Sequence, residues 1–170
     1  MNFKKNLVFL GMMGSGKSSI GYLVSKKLNL KFIDIDILIE KDTGLKISNI
    51  FKEKGESYFR NLEEKITLKT LKSPNQVVSL GGGGFINDKI RKEVLTNHFS
   101  LWLDWDNSIL INRIKNNNKR PLALKATEQE IKQLIIKRSK IYSKAKIRIN
   151  CNKLSKTEIM KKIIKIYEAK

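Results

Sequence analysis

The stretch GMMGSGKSS (residues 11–19) directly follows the apolar run NLVFL (6–10) and has the spacing Gly-x-x-x-x-Gly-Lys-Ser. A strand followed by such a loop and then a helix is the arrangement that binds phosphate groups. Its glycines let backbone N–H groups approach anionic oxygens closely, and the first turn of the helix adds unpaired N–H groups and a partial positive charge. We therefore predict an anion-binding loop near the start of the chain.

The side chains of this loop indicate that the anion is a nucleoside triphosphate. Lys17 supplies a full positive charge for the β- and γ-phosphates, and the Ser18 hydroxyl is placed to ligate a Mg²⁺ ion that bridges them. A dinucleotide-binding turn fits less well, because its glycine spacing differs and it leaves the lysine unexplained. The predicted nucleotide-binding residues of the loop are Gly14, Ser15, Gly16, Lys17, Ser18 and Ser19.

The composition is that of a single globular domain over residues 1–170. Hydrophobic residues make up 41% of the chain and charged residues 30%, with only two prolines, which argues against a disordered protein. No apolar run approaches the roughly 18 residues of a membrane span, and the N-terminal run leads straight into the glycine loop, unlike a secretion signal. A single cysteine, Cys151, excludes an internal disulfide. We expect a cytoplasmic protein without a membrane partner.

The chain carries 35 Lys and Arg against 16 Asp and Glu, a formal net charge of +19. Such a charge is typical of nucleic-acid-binding proteins, so a nucleic-acid-bound ATPase is one alternative function. However, the lysines are scattered over all the predicted helices and linkers and form no single stripe with interleaved aromatic residues. We therefore expect a solvated lysine-rich surface and no nucleic-acid partner.

Short apolar runs alternate with segments of helical spacing along the chain. Alternating strands and helices indicate parallel crossovers, so we predict an α/β fold with a parallel sheet covered by helices on both faces. The stretch KNNNKRPLALKAT (115–127) has no periodicity, and its length is typical of a mobile lid or binding loop. The predicted strands are 7–10, 31–35, 76–80, 99–103 and 146–150, and the predicted helices include 17–28, 56–71, 128–142 and 155–168.

The second strand-like run continues into KFIDIDILIE (31–40), which contains two aspartates. Strand alternation places Asp34 and Asp36 on one face, at the carboxyl end of a parallel strand, where ligands of open α/β sheets bind. We predict that one acid, Asp34, holds Mg²⁺ through water and that the other, Asp36, accepts hydrogen bonds from an acceptor hydroxyl. Two alternatives stay open: Asp36 only caps the next helix, or Asp104 serves the Mg²⁺ ion.

Two arginines occupy positions that require an anionic partner. Arg60 in YFRNLEE (58–64) either pairs with Glu63 and Glu64 or binds a ligand. Arg138 interrupts the apolar stripe of the helix predicted over 128–142, and an unpaired buried charge is costly. Its guanidinium therefore needs an internal acid or a ligand that bears a carboxylate.

Four consecutive glycines, 81–84 in SLGGGGF, follow the third predicted strand. They indicate close approach of the backbone to a ligand, the alternative being a flexible connection. In the predicted lid, KRPL offers Arg120, which we expect to move over the phosphates and neutralise charge on the transferred group.

Taken together, the motifs resemble the shikimate kinase family over residues 6–150. The segments that carry the resemblance are GMMGSGKSSIG, FIDIDILIE, IFKEKGESYFRNLEE, SLGGGG, NNNKRPL and KRSKIY, in this order and spacing. The resemblance implies a three-layer P-loop NTPase fold like that of nucleoside monophosphate kinases, with a five-stranded parallel sheet of order 2-3-1-4-5, helices on both faces and a mobile lid. It also implies transfer of the γ-phosphoryl of ATP to the 3-hydroxyl of shikimate, with Mg²⁺, on the route to chorismate and the aromatic amino acids.

The resemblance further assigns roles to individual residues of this sequence. Asp36 holds the shikimate hydroxyls and accepts a proton, Asp34 contacts Mg²⁺ through water, and a substrate-binding segment covers about 34–62. Two departures, Ser19 where many members have Thr and Gly84 where many have Ala, are conservative. Further implied roles are shikimate carboxylate binding by Arg60 and Arg138, contact with the substrate by Gly81, Gly82 and Gly83, action on the phosphoryl group by Lys17 and Arg120, a place near adenine for Arg113, and acceptor-pocket walls formed by Phe51 and Phe59.

Alternative readings remain for the acceptor and for several residues. A kinase of gluconate or of a nucleoside monophosphate would have the same ATP loop, but two arginines with Asp36 favour an acceptor that bears a carboxylate and hydroxyls. Arg113 is alternatively an exposed helix residue, and Phe51 and Phe59 are alternatively core residues. His98 is predicted to be a core or surface residue without catalytic use. The expected partners are ATP and shikimate, bound by a monomer.

Overall fold

A computed structural model describes residues 5–116 and 126–169 of the chain. Its centre is a five-stranded, fully parallel sheet of order β2-β3-β1-β4-β5, as predicted. The central strand, β1, is buried along its whole length, and Leu7 lies opposite both Val77 and Phe99 of its neighbours. The strands are β1 (Leu7–Leu10), β2 (Lys31–Asp34), β3 (Gln76–Ser79), β4 (Phe99–Asp104) and β5 (Ile147–Asn150).

Helices cover both faces of this sheet, which confirms the predicted α/β class. On one face α1 packs against β3 and α7, while α3 and α4 pack against each other. No described helix, in 5–116 or 126–169, combines the length and apolarity that crossing a bilayer requires. The helices are α1 (Lys17–Leu28), α2 (Ile35–Thr43), α3 (Ile47–Leu71), α4 (Asp88–Asn97), α5 (Asn107–Lys115), α6 (Glu128–Tyr142) and α7 (Lys156–Glu168), with a 3₁₀ turn at Gly84–Ile86.

Local capping explains why several helices begin where they do. Thr127 and Glu130 form a capping box at the start of α6, and Ser155 and Glu158 form another at the start of α7.

Helix α3 is interrupted at Gly55, whose φ of 82° is not helical. Helical spacing predicted only the second part, 56–71, and it did not locate α4 or α5, which have few buried positions.

The prediction that strand alternation extends to Asp36 is wrong. Strand β2 ends at Asp34, because the Asp34 carboxylate accepts hydrogen bonds from the N–H groups of Asp36 and Ile37 and so starts α2 at Ile35. The alternative that Asp36 is the cap is also wrong, since Asp34 occupies that position. Asp34 and Asp36 nevertheless line the same cavity. They do so because both lie at the start of α2, not because they share one face of β2.

At the amino ends of the strands, buried polar side chains tie the sheet to its helices. The Asn6 side chain donates to the Leu71 carbonyl and accepts from the Gln76 N–H, while its backbone N–H donates to His98 Nδ1 at 3.3 Å. His98 is buried, in agreement with the predicted core role. This network lies at the sheet edge opposite the one where ligands of parallel sheets bind.

Candidate active site

The glycine loop joins β1 to α1 as the sequence predicts. Gly16 precedes α1 with a φ of 88°, a conformation that favours glycine, and no side chain caps the helix there. Gly16 itself has no side chain that could cap the helix, and the backbone N–H groups of the first turn of α1 are the groups that would bind an anion. Lys17 is buried, and its Nζ donates to the carbonyls of Gly11 and Met12 at 2.9 Å each.

A cavity of about 620 Å³ opens beside this loop and contains every loop residue predicted to bind nucleotide. Arg113 of α5 lines it, with its guanidinium 3.9 Å from the centroid of the Trp105 ring. Trp105 donates from Nε1 to the Ser15 carbonyl at 2.9 Å. The lining residues are Gly14, Ser15, Gly16, Lys17, Ser18, Ser19, Ile20, Trp105, Arg113, Leu154, Ser155 and Lys156.

Five residues of this cavity, among them Ile20 of α1, were not predicted from the sequence to line it. Trp105 is buried, as is usual for a packing aromatic residue, and it also forms a wall of the cavity beside Arg113. Residues 154–156 reach the cavity because α7 begins there. The capping-box pattern of Ser155 and Glu158 marks that helix start in the sequence, but nothing local indicates that it faces the loop.

A second cavity, of about 960 Å³, lies on the other side of the glycine loop, beyond β2 and β3. Ser18 lines both cavities, and its hydroxyl donates a hydrogen bond to the Asp34 carboxylate. The two cavities therefore meet at the start of α1. The second is lined by Met13, Ser18, Asp34, Asp36, Ile37, Glu40, Lys46, Ile47, Ser48, Phe51, Phe59, Arg60, Glu63, Gly81, Gly82, Gly83 and Arg138.

Arg60 is paired with acids and lines the second cavity at the same time. Its Nη1 donates to Glu63 Oε2 at 2.7 Å, and its Nε and Nη2 contact Glu56 Oε1 at 3.3 and 3.2 Å. The predicted pairing with Glu63 is present, although the second acid is Glu56 and not Glu64, and ligand binding by Arg60 stays a prediction. Glu64 instead bonds Asn87 and Lys89.

Glu63 is the most deeply buried carboxylate of the second cavity, with a side chain 2% exposed. Desolvation raises its pKa despite the opposing charge of Arg60, and nearby Asp36 adds to the rise. Burial alone would lower the pKa of Arg60, but Glu63 and Glu56 outweigh it and keep the guanidinium charged. The sequence pattern identified Glu63 only as a partner of Arg60, not as a wall of the cavity.

Arg138, from α6, enters the same cavity from the opposite side. Its Nη1 donates to the Gly82 carbonyl at 3.3 Å and lies 3.9 Å from Met12 Sδ. Over 5–116 and 126–169, Arg138 forms no ion pair with a carboxylate within 4 Å. The internal acid that was one option for this guanidinium is thus absent at that distance in the described chain.

At positions 81 and 83, charged groups of the site occupy the space that a side chain would need. A Cβ at Gly81 would lie 2.5 Å from Glu63 Oε1 and 2.7 Å from Asp36 Oδ1, and one at Gly83 would lie 2.5 Å from Arg60 Nη1. These glycines form a hydrogen-bonded turn at the cavity wall rather than a loose connection, since the Gly84 N–H donates to the Gly81 carbonyl.

The alternative role for Asp104 is not supported by its surroundings. Its Oδ2 accepts from Arg148 Nε at 2.8 Å and from Arg148 Nη2 at 2.6 Å, and it lines neither of the two cavities. Arg120 and most of the predicted lid, 117–125, lie outside the described residues, so their predicted roles stay predictions.

Comparison with known proteins identifies the family to which the chain belongs. The shikimate kinase profile matches residues 13–168. The chain belongs to the shikimate kinase family. A shikimate kinase from Persephonella marina is 44% identical over 160 residues, which cover 94% of this chain and 97% of the relative.

Solved shikimate kinases share the fold over nearly the whole chain. The enzyme from Acinetobacter baumannii in complex with shikimate has a TM-score of 0.91 and 26% identity, covering 97% of this chain and 93% of that one. The enzyme from Aquifex aeolicus has a TM-score of 0.87 and 36% identity, covering 96% of both chains. As a member of the shikimate kinase family, the protein is an ATP-dependent kinase, a transferase, and the family predicted from the sequence is confirmed.

Proposed function

We propose that the protein transfers the γ-phosphoryl of ATP to the 3-hydroxyl of shikimate, giving shikimate 3-phosphate and ADP. The observation that carries this proposal is that Ser18 lines both cavities, so the phosphate-binding loop directly adjoins a cavity with two guanidinium groups and four carboxylates. Phosphoryl transfer requires the donor phosphate and the acceptor hydroxyl to be held close together. Two adjoining cavities of this chemistry provide that arrangement.

ATP is assigned to the 620 Å³ cavity, where the loop and the start of α1 bind the phosphates. Arg113 and Trp105 form the wall for the adenine end, where a stacked cation and indole suit a planar base. Lys17 exchanges its bonds to the Gly11 and Met12 carbonyls for phosphate oxygens. Arg120 of the lid is assigned to the transferred phosphoryl group from the sequence alone.

Shikimate is assigned to the 960 Å³ cavity, and its carboxylate to Arg60 and Arg138. Arg60 is already neutralised by Glu63 and Glu56, whereas the described contacts of Arg138 are to a carbonyl and a sulfur. Arg138 therefore supplies most of the uncompensated positive charge for the carboxylate. Asp36 faces the same space from α2 and accepts hydrogen bonds from the ring hydroxyls, while residues 81–83 lie along the substrate.

The residues at the junction of the cavities fit a Mg²⁺ ion bound with ATP. Ser18 and Asp34 present a hydroxyl and a carboxylate oxygen in mutual contact, which are ligand types that Mg²⁺ prefers. No cluster of three or more His, Cys, Asp or Glu that could hold a metal by itself occurs in the described ranges. When bound, Mg²⁺ neutralises charge on the phosphate oxygens; Ser18 is assigned as a direct ligand and Asp34 as a ligand through water.

In the proposed reaction, the 3-hydroxyl oxygen of shikimate forms a bond to the γ-phosphorus as the bond to the β,γ-bridging oxygen breaks. The hydroxyl proton passes to the Asp36 carboxylate, and the electron pair of the broken bond remains on ADP. Lys17 and Arg120 offset the charge on the phosphoryl oxygens. The protein is proposed to act as a cytoplasmic monomer in the pathway to chorismate.

Coupled measurement of ADP release tests the proposal. Release should depend on shikimate and remain at background with gluconate or a nucleoside monophosphate at the same concentration. A matched assay with DNA and RNA at low and high salt tests the nucleic-acid-bound ATPase. Stimulation by nucleic acid with no response to shikimate would reject the proposed function.

A further inference from the structure

The Gly82 carbonyl accepts hydrogen bonds from two side chains of one helix. Arg138 Nη1 donates to it at 3.3 Å, and the Tyr142 hydroxyl donates to it as well. The two residues are four apart in α6 and so lie on the same face of that helix. The Gly82 carbonyl oxygen thus connects residues 81–83 to Arg138, which lines the acceptor cavity, and to Tyr142, which does not.

Tyr142 is held rigidly behind this contact. The residue is 1% exposed, and its ring lies 6.1 Å from the Trp102 ring of β4, centroid to centroid. Burial raises the pKa of the phenol to about 12, so the hydroxyl stays protonated and acts as a donor throughout the physiological pH range. The ring cannot move without disturbing the packing between α6 and the sheet.

The Gly82 peptide has little freedom on its other side. A Cβ at Gly82 would lie 3.2 Å from the Met13 N atom, which shows how closely the glycine loop approaches. The segment is therefore held between the phosphate-binding loop and the two donors of α6. In the described ranges Arg138 forms no ion pair within 4 Å, and its guanidinium is held by the Gly82 carbonyl, with the Tyr142 hydroxyl also close enough to interact with it.

We propose that Tyr142 is a positioning residue for the acceptor site: its hydroxyl fixes the Gly82 carbonyl, and that carbonyl sets the direction in which Arg138 presents its guanidinium to the acceptor carboxylate. The proposal rests on the proposed function, because it assigns that carboxylate to Arg138. Tyr142 itself touches neither substrate nor phosphate.

Tyr142→Phe tests this, since it removes one oxygen and keeps the ring against Trp102. The KM for shikimate should rise about five- to tenfold, as expected for one lost hydrogen bond, while the KM for ATP and the melting temperature change little. Tyr167→Phe, on α7 beside Phe99, is the matched control and should leave both KM values unchanged. An unchanged KM for shikimate, or a variant that no longer folds, would overturn the proposal by making the hydroxyl merely structural.

A double-mutant cycle with Arg138→Lys gives an independent measurement by calorimetric titration of shikimate. If Tyr142 acts through Arg138, removing its hydroxyl should weaken binding far less in the Arg138→Lys background than in the wild type. Additive effects would overturn the proposal. Wild-type protein without shikimate-dependent ADP release would instead reject the proposed function, so the two failures are distinguishable.

Discussion

The Ser18 hydroxyl, in the first turn of α1, donates a hydrogen bond to the Asp34 carboxylate at the start of α2. This contact joins the loop that binds the nucleotide to the segment that forms the acceptor cavity. Asp34 uses its other oxygen to cap α2, so one carboxylate both starts that helix and touches the phosphate-binding loop. Displacement of Ser18 or Asp34 would therefore affect both cavities.

Two substitutions of Ser18 test whether its hydroxyl group is required for activity. Ser18→Ala removes both the proposed Mg²⁺ ligand and the bond to Asp34, and we expect kcat to fall about 100-fold or more, since electrostatic stabilisation of the phosphoryl group is lost. Ser18→Thr retains the hydroxyl and should keep most of the activity. Steady-state kinetics with varied Mg²⁺ measures both variants; equal activity of the Ala and Thr variants would remove Ser18 from metal binding.

Asp36 is predicted to act on the acceptor hydroxyl. Asp36→Asn should lower kcat about 100-fold or more, within the range of general base contributions, while the KM for ATP stays within about twofold. Asp42→Asn, an exposed acid near the end of the same helix, is the control and should behave as wild type. Turnover unchanged in Asp36→Asn would exclude the carboxylate from the chemistry.

Arg60 and Glu63 form a pair in which the acid is almost fully buried. Arg60→Ala leaves the Glu63 carboxylate without its strongest partner, and we expect a loss of unfolding free energy on the order of 3 kcal/mol in urea titration. It should also weaken shikimate binding. The double variant Arg60→Ala with Glu63→Gln should regain part of the stability but none of the affinity; recovery of both would mean that Arg60 does not bind the acceptor.

Adding a methyl group at Gly81 tests the space occupied by the two acids. The Ala Cβ would lie 2.5 Å from Glu63 Oε1 and 2.7 Å from Asp36 Oδ1, so Gly81→Ala must displace them, and we expect the KM for shikimate to rise at least about tenfold. Gly84→Ala is the matched control, because its Cβ would meet Glu63 Oε1 at 3.4 Å, an ordinary contact. Similar kinetics for both variants would show that the close approach has no functional consequence.

His98, which lies away from the active site, is expected to make the folded protein less stable at acidic pH. Desolvation lowers its pKa below 6.5 against the pull of Glu93, with Lys146 and Lys5 adding to the decrease. The unfolded chain therefore binds a proton more readily than the folded one, so this contribution to stability is complete above about pH 6.5 and is lost progressively as the pH falls from there through the lower pKa of the folded state.

The His98→Asn variant checks that prediction. Asn does not titrate and offers an oxygen to the Asn6 N–H that now donates to Nδ1. Urea unfolding from pH 7.5 to 5 should show a flatter stability curve for the variant than for the wild type. Parallel curves would assign the acid sensitivity to other groups.

Much of the site was predictable because its signals are local in the sequence. The loop spacing around Lys17, the alternation of strands and helices, and the interruption of an apolar stripe by Arg138 each depend on residues within a few turns of one another. These features determine the parallel sheet, and parallel strands bring their carboxyl ends to one edge. The five strands and the phosphate-binding loop were accordingly predicted correctly, whereas the strand order, also confirmed, was implied only by the family resemblance.

Other features were decided by the tertiary structure, because they join segments far apart in the chain. Alternation placed Asp34 and Asp36 on one strand face, but capping of α2 by Asp34 ends the strand and sets both positions. The bond between Tyr142 and Gly82 spans 60 residues, and no local pattern specifies it. Sequence spacing thus determined which groups the protein brings to the carboxyl edge of the sheet. The packing of α6 against that edge decided which way those groups face, because the direction of a side chain depends on neighbours that only the folded chain supplies.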